Sequence, residues 1–504
     1  MTEQQKGRLT VRPRRETLVD EDEDGPLELG VYDFALPCRR FVVDHKVAEV
    51  GKISVTAEFL LRLVRALGSC TEETVQTFFG YDRREMAYVL GEVEEADYVS
   101  RADGRLVLTE VGQSLFRPGS EDPLIFEVER KSARVGFDLL SLAPADTRST
   151  SWFERNLPEL PLCDPGQVSD ATARVPARFR RFFREFAPRM DPVSAARRSL
   201  YSIDAVRAED RFSNVVRVRL LSTGLKPMQA EVDLSAWRSD HEVHEREEVG
   251  RSVLGMLDRL PIVRRDDEAD AYRLLVELAP DYLREWTRRD GLSVQRYYRN
   301  AFTSEGDVRA DRRTTPIVGS LFGTENARRL VEVASNGLRR TTRSARTLFW
   351  VVPQVPLWGS TSIMAEAVEQ LRERVIRNND DLNARIPVQP LALTSGRPEA
   401  WIKEGFGHWR ESDGLVFPAG FELLLVPGAF VAAVVHAPIG APSGIPVPLG
   451  FASFDRPTVD RAMALLMAVA PRYGLAEGVL KDLAPDEDVA PEPSGAGYGN
   501  GNGD

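Results

Sequence analysis

The chain has 504 residues, 42% of them hydrophobic and 28% charged, with a net charge of −11. That length supports three or four domains, each with a core of its own, and no apolar run reaches the roughly 18 residues of a membrane span. The acidic balance excludes wholesale coating of nucleic acid, and the start Met1-Thr2-Glu3-Gln4-Gln5-Lys6 lacks the apolar centre of a signal peptide. Cys38, Cys70 and Cys163 are odd in number and far apart, which indicates neither a disulfide framework nor a zinc site and makes the reduced cytoplasm the expected location. Acid concentrates at Asp20 to Asp24 and at Glu92 to Asp97, and base in two later stretches. Only seven of the 66 basic residues are lysines; arginine's planar fork suits phosphate, and a GC-rich genome gives the same bias.

Residues 1–28 are polar without periodicity and residues 484–504 are rich in Pro, Gly and Asn, so both are expected to be disordered. From Leu27 to about Ile53, short apolar runs such as Val31-Tyr32-Asp33-Phe34 predict an extended lead-in. Ser54 caps a first helix with Val55, Phe59, Leu60, Leu63, Val64 and Leu67 at helical spacing. Thr71 opens a second through Val75, Phe78 and Phe79. Asp82 with Glu85 makes a capping box for a third through Met86, Val89, Leu90 and Val93. Tyr98-Val99-Ser100 and Leu106-Val107-Leu108 flank Asp103-Gly104 as a hairpin, and Thr109 caps a closing helix. Three helices and a hairpin in this order resemble the winged helix-turn-helix family. The resemblance implies a third helix whose start, Arg83 and Arg84, enters the major groove, with Arg101 and Arg105 on the wing. Six arginines stand against eleven acids over residues 54–116, and many winged helices bind only protein.

Residues 120–200 read as mostly helical. Phe179, Phe182, Phe183 and Phe186 fall at i, i+3, i+4 and i+7, one buried helix face. Arg178, Arg180, Arg181 and Arg184 fill its other sides, with Arg174 and Arg189 beyond and Glu185 opposing. Two readings stand: a core helix with a solvated basic back, or a phosphate-contacting face. Residues 200–235 alternate like strands. A helix follows through Val249, Val253 and Leu257, then a hairpin of Ile262-Val263-Arg264 with Tyr272 to Val276, then a helix from Pro280. That order suggests a second, eroded winged-helix unit. His241 and His244 could reach one ion but lack the His-Glu-x-x-His pattern, so no metal is expected.

The second basic stretch, residues 309–346, offers Arg328, Arg329, Arg339, Arg340 and Arg343 as phosphate contacts. Strands are expected at Pro316 to Phe322, Leu348 to Pro353, Val388 to Leu393, Phe421 to Val426 and around Val434, with helices at Glu325 to Arg340, Ile363 to Ile376 and Pro457 to Ala470. Within this frame His436, Gly450 and the spacing between them resemble the phospholipase D-like superfamily, whose motif is His-x-Lys, four residues, Asp, six residues, Gly-Ser-x-Asn. Pro438 stands in the lysine place, Ser443 in the aspartate place, and Phe451 and Ser453 in the serine and asparagine places; Asp455 follows. The resemblance implies a scaffold that has kept its spacing and lost its chemistry. Catalysis would need a homodimer through this domain to bring two copies of His436 together, and it would lack the lysine clamp on the phosphoryl oxygens. No Gly-Lys-Ser/Thr phosphate loop and no framed Ser or Cys nucleophile is present.

The expected fold is α+β and multidomain: a winged helix with its lead-in (29–119), a central mixed α/β region (120–310) and a C-terminal α/β phospholipase D-like domain (311–483). The expected function is that of a non-catalytic, cytoplasmic, bacterial DNA-associated protein. The domain pairing looks like accessory subunits of anti-phage defence operons or regulators with inactivated phospholipase D-like domains. Duplex DNA and partner proteins such as an ATPase or helicase are the implied partners, with no cofactor and no membrane. The alternatives are a dimeric phospholipase D-like nuclease or phosphodiesterase, and a transcriptional regulator or protein-interaction adaptor.

Overall fold

The computed structural model describes residues 10–11, 26–50, 54–116, 123, 126–162, 165–190, 198–223, 226–238, 240–303 and 312–484. Of the two ends expected to be disordered, residues 485–504 lie outside these; at the other end, Thr10–Val11 forms a short strand and residues 26–28 begin a long one. Cys163 and Arg309 also lie outside. No helix among the described residues is long and apolar enough to cross a membrane.

In chain order the elements begin with β1 (Thr10–Val11), β2 (Pro26–Val50), α1 (Val55–Leu67), α2 (Glu72–Phe79), α3 (Arg83–Glu95), β3 (Val99–Ala102), β4 (Arg105–Leu108) and α4 (Glu110–Ser114). Next come β5 (Phe126–Asp138), β6 (Pro144–Ala145), α5 (Trp152–Arg155), α6 (Pro165–Ser169), α7 (Ala171–Met190), β7 (Arg198–Thr223) and β8 (Lys226–Asp233). They continue with α8 (Asp240–His244), α9 (Glu247–Leu257), β9 (Ile262–Val263), α10 (Glu268–Leu278), α11 (Pro280–Leu283), β10 (Thr287–Arg288), β11 (Gly291–Leu292) and α12 (Val294–Thr303). Then follow β12 (Thr314–Val318), α13 (Thr324–Leu338), β13 (Thr347–Val351), α14 (Ser362–Asp381), β14 (Gln389–Ser395), α15 (Ala400–Phe406) and β15 (Trp409–Ser412). The last are β16 (Phe421–Val426), β17 (Phe430–Ala437), β18 (Ser443–Gly444), β19 (Val447–Ser453), α16 (Arg456–Val469) and α17 (Glu477–Leu483). The fold is mixed α/β with several sheets, and the chain forms two compact units interleaved in sequence.

The unit built from Cys38–Thr147 and Asp164–Phe212 holds α1 to α4 and the β3/β4 hairpin. Ser54, Thr71 and Thr109 each accept a backbone N–H at a helix start, and Asp82 with Glu85 forms the full capping box of α3. Asp103 and Gly104 take positive φ (51° and 74°), the geometry of a two-residue hairpin turn. Gly112 is required by proximity, since a Cβ there would sit 2.0 Å from the Tyr98 carbonyl oxygen. Ala57, Leu60, Leu61, Val64, Val89, Leu90 and Val93 share one core. The same unit holds residues 38–50 of β2 and 198–212 of β7, with β2 paired to β5 (Cys38 opposite Asp138, Val47 opposite Glu129) and β5 to β6. The expectation of helix over residues 120–200 fails at β5: Ala133, Val135 and Phe137 are buried at alternate positions, a period of two. α7 holds as expected, its four phenylalanines buried; Phe179 stands 5.1 Å from the His45 ring and Phe186 5.3 Å from Phe137.

The other unit, built from Met1–Pro37, Arg148–Cys163 and Ser213–Asp504, is organised on a seven-stranded sheet of order β12-β19-β17-β16-β13-β14-β15. β13, β14 and β15 are mutually parallel, and each remaining neighbouring pair is antiparallel. β12, β17, β13, β14 and β15 therefore point one way, β19 and β16 the other. β17 is buried along its whole length, as its Phe-Val-Ala-Ala-Val-Val run requires of a strand covered on both faces. Leu330, Val333 and Ala334 of α13 and Met364, Val368 and Leu371 of α14 join its core. The expected hairpin at residues 262–276 is not formed. β9 pairs with β18, Val263 opposite Ser443, and residues 272–276 lie in α10. Ala271, Tyr272, Leu275 and Leu278 are buried at helical spacing, a pattern the run Leu274-Leu275-Val276 masks when read alone.

Candidate functional site

The seven-stranded sheet brings a charged group into its interior at the carboxyl edge of β17. Glu422 is the single acid in the apolar run of β16, and β16 pairs with β17 so that Glu422 faces Val434, two residues from His436. Side chains at i and i+2 share a sheet face, so His436 and Glu422 meet: Nε2 of His436 lies 2.5 Å from Oε2 of Glu422. The other carboxylate oxygen accepts from Nε1–H of Trp350 on β13 at 2.8 Å. All three side chains are buried. A buried carboxylate is tolerable only when its lone pairs are met, and here two neighbouring strands supply the donors. The imidazole borders a cavity of about 10 Å3 lined also by Pro438, Gly420, Asp267 and Glu268, which is space for one water and none for a phosphodiester. Burial pushes the Glu268 carboxyl above its usual range, against the opposing charge of Arg264.

The other motif positions do not gather around His436. Gly450 lies opposite Val434 on β19, where a Cβ would come 1.9 Å from the Ala433 carbonyl oxygen, and its own carbonyl accepts from the Tyr297 hydroxyl at 2.6 Å. Ser443 is exposed on β18 against β9. Asp455 stands at the residue before α16 and accepts from the Thr458 hydroxyl at 3.0 Å, past the end of β19 remote from His436. Ser453 bonds Thr314 at 2.8 Å, and Phe451 packs edge-on to Tyr282.

The same edge of the sheet is where open α/β folds receive ligands, because helix N-termini converge there. Two such termini are already filled by carboxylates from β2. Glu28 accepts from the Thr324 N–H at the start of α13 (2.7 Å), and Asp33 accepts from the Ser362 N–H at the start of α14 (2.8 Å). Asp33 is fully buried and also receives a two-pronged contact from Arg217, Nε to Oδ1 at 2.8 Å and an NH2 nitrogen to Oδ2 at 3.0 Å. The bond to Asp33 raises the Arg217 guanidinium further above its already high range. Gly319 and Gly323 let β2 approach: a Cβ on either would meet Glu28 at 2.3 or 2.9 Å. Burial raises the Glu28 carboxyl, and the Thr324 hydrogen bond and Arg219 pull it back only in part.

The sequence-derived arginines fall into two kinds. Arg328 is clamped by Glu325 and Glu332 at 2.5 and 2.8 Å, and Arg329 stands 3.9 Å from Glu325. Arg339 bonds Asn336, Arg340 covers the Phe454 ring at 4.7 Å, and Arg343 donates to the carbonyls of Lys481, Asp482 and Ala484 at the end of α17. These side chains are committed to the fold's own helices. In the other unit Arg101 pairs with Glu72 and Glu94 at 3.0 and 2.9 Å, and Arg105 bonds the Ser69 hydroxyl and carbonyl. Arg83 and Arg84 are exposed at the start of α3. On α7, Arg180, Arg181 and Arg184 are exposed and Arg178 half-buried, and Arg181 lies over the Phe182 ring. Among the described residues, no group of three or more His, Cys, Asp and Glu side chains converges as a metal site.

Sequence reasoning passed over Glu422, Trp350, Glu28 and Asp33. A lone acid inside an apolar strand was the available signal for Glu422; Glu28 and Asp33 carried none, because their partners lie some 300 residues away. No protein-family model matches the chain, and no curated protein matches it.

Proposed function

We propose that this chain is a DNA-associated protein without catalysis of its own, and that α7 supplies its main phosphate-contacting face. The division of α7 carries the reading. Four buried phenylalanines fix the helix, and its other sides carry six arginines against one glutamate; of the six, Arg189 pairs with Asp146 at 2.9 Å. Arg180 and Arg184 are exposed and, among the described residues, make no ion pair. Holding a guanidinium near solvent on a rigid helix lowers the entropy lost when it meets phosphate. The order α1, α2, α3, β3, β4 supports reading residues 54–116 as a winged helix, to which Arg83 and Arg84 add two contacts at the start of α3. The degenerate phospholipase D-like reading is supported by Gly450 lying on the strand beside His436. The single-water cavity at His436, the pairing of its Nε2 with Glu422, and the carboxylates of Glu28 and Asp33 at the ligand edge all favour holding over cutting.

A mobility shift on duplex DNA tests this. Affinity is expected to fall steeply between about 50 and 200 mM salt. Arg180→Glu with Arg184→Glu should weaken binding and reduce the log–log salt slope by roughly one for each phosphate that no longer has an arginine partner. Binding that is absent, or that is unchanged in the double variant, removes the reading. The adaptor reading has an observation of its own: Val55, Phe59, Phe78 and Tyr88 are exposed on helices that carry most of this segment's acids. No DNA shift, together with a protein partner that no longer binds on Phe59→Ser, would favour it.

A further inference from the structure

A cavity of about 690 Å3 opens at the amino-terminal edge of β13 and β14, the opposite edge from His436. Its volume lies within the ~300–1,000 Å3 of small-molecule sites. Val368, Val388 and Phe406 give it an apolar wall. Four fully charged side chains line it, and they divide into a closed pair and an open pair. Arg372 donates to both oxygens of Glu369 at 2.8 and 2.6 Å, so those charges cancel locally; the hydrogen bond from Arg372 holds the Glu369 carboxyl below its usual range. Arg346 and Glu404, by contrast, make no side-chain hydrogen bond or ion pair among the described residues, and neither does the His408 imidazole.

The backbone fixes where these open groups stand. The N–H of Arg346 donates to the buried Asp482 carboxylate at 2.9 Å and its carbonyl accepts from Gln389 at 2.8 Å, so the main chain is pinned while the guanidinium is uncommitted. Glu404 lies in the last turn of α15, which Gly407 ends with a left-handed φ of 69°. A carboxylate there meets the negative end of the helix dipole. The position does nothing for the helix and suits a cation brought from outside. The charge count then selects the ligand. Arg346 and Arg372 balance Glu369 and Glu404, so a dianion would face two carboxylates and a simple cation two guanidiniums. A molecule with one charge of each sign meets one open partner for each.

We propose that this cavity binds an amino-acid-sized zwitterion with an apolar side chain, its carboxylate against Arg346 and His408, its ammonium against Glu404, and its side chain against Val368, Val388 and Phe406. Calorimetric titration of the full-length chain tests it with L-leucine and L-phenylalanine against analogues lacking one charge, phenethylamine and 3-phenylpropionate. L-Leucine or L-phenylalanine is expected to bind, and to exceed both analogues by about tenfold or more. Arg346→Ala should abolish the preference over the amine and leave amine binding unchanged. Glu404→Gln should abolish the preference over the acid and leave acid binding unchanged. Both residues are exposed, so both variants should keep the parent's circular dichroism. Analogues that bind as tightly as the amino acid, variants that bind it as the parent does, or no binding of either amino acid would each overturn the proposal.

Discussion

His436→Ala takes away one of the two donors to the buried Glu422 carboxylate. The expected result is a loss of about 3 kcal/mol or more in chemical denaturation, since Glu422 is left buried with Trp350 alone. A nuclease assay on the same variant should match the unchanged protein. Neither protein is expected to cut DNA, and activity present in the unchanged protein but lost in the variant would make His436 a nucleophile. Gly450 answers to the same kind of argument. Gly450→Ala would push a methyl group into the Ala433 carbonyl and part β17 from β19, a destabilisation visible as a lower thermal midpoint. Glu28 adds a pH signature. Its carboxyl titrates higher in the folded chain than in the unfolded one, so the folded state binds more protons between the ordinary value of 4.5 and the raised value. Stability from this group is therefore greatest at low pH and declines as pH rises through that window. Glu28→Gln keeps an acceptor for the Thr324 N–H and removes the titration, so its stability relative to the parent should improve as pH rises above 4.5.

Elements show where local rules suffice. α1, α2, α3 and α4 begin at the residues their caps specify, because Ser, Thr and Asp satisfy orphan N–H groups within three residues of themselves. α7 was legible for a related reason: four phenylalanines at helical spacing admit one buried face. Phe179→Ala should cost about 3–5 kcal/mol, and Arg180→Glu almost nothing, in the same unfolding experiment. α10 escapes the sequence because the short apolar run Leu274-Leu275-Val276 does not distinguish helix from strand until its flanking residues find partners, whereas β5 carries its own strand signal in the alternate Ala133, Val135 and Phe137. β2 is the opposite case from α7. Its alternation announces a strand, yet nothing in it announces that Asp33 will close the start of α14. Asp33→Asn should cost roughly 2–3 kcal/mol, by leaving Arg217 without its carboxylate and weakening the bond to Ser362.

At the scale of the molecule, residues 26–37 belong to the same compact unit as the seven-stranded sheet although the whole of a second unit is inserted between them in sequence. A chain cut to begin at Ser213 would keep the sheet and lose Glu28 and Asp33 from the starts of α13 and α14. It is expected to denature at lower urea than the full chain, and a cut chain of equal stability would show that the two carboxylates do little. The sequence by itself determined the capped helices, the phenylalanine face of α7 and five of the seven strands of the large sheet, β12, β13, β14, β16 and β17. Each of these rests on periodicity or on contacts within a few residues. Only the tertiary structure decided that His436 is held by Glu422, that Arg328 and Arg343 are spent on the fold while Arg180 and Arg184 face solvent, and that the ligand edge is filled from within. Those outcomes depend on which distant residue arrives opposite, and a spacing along the chain carries no record of that.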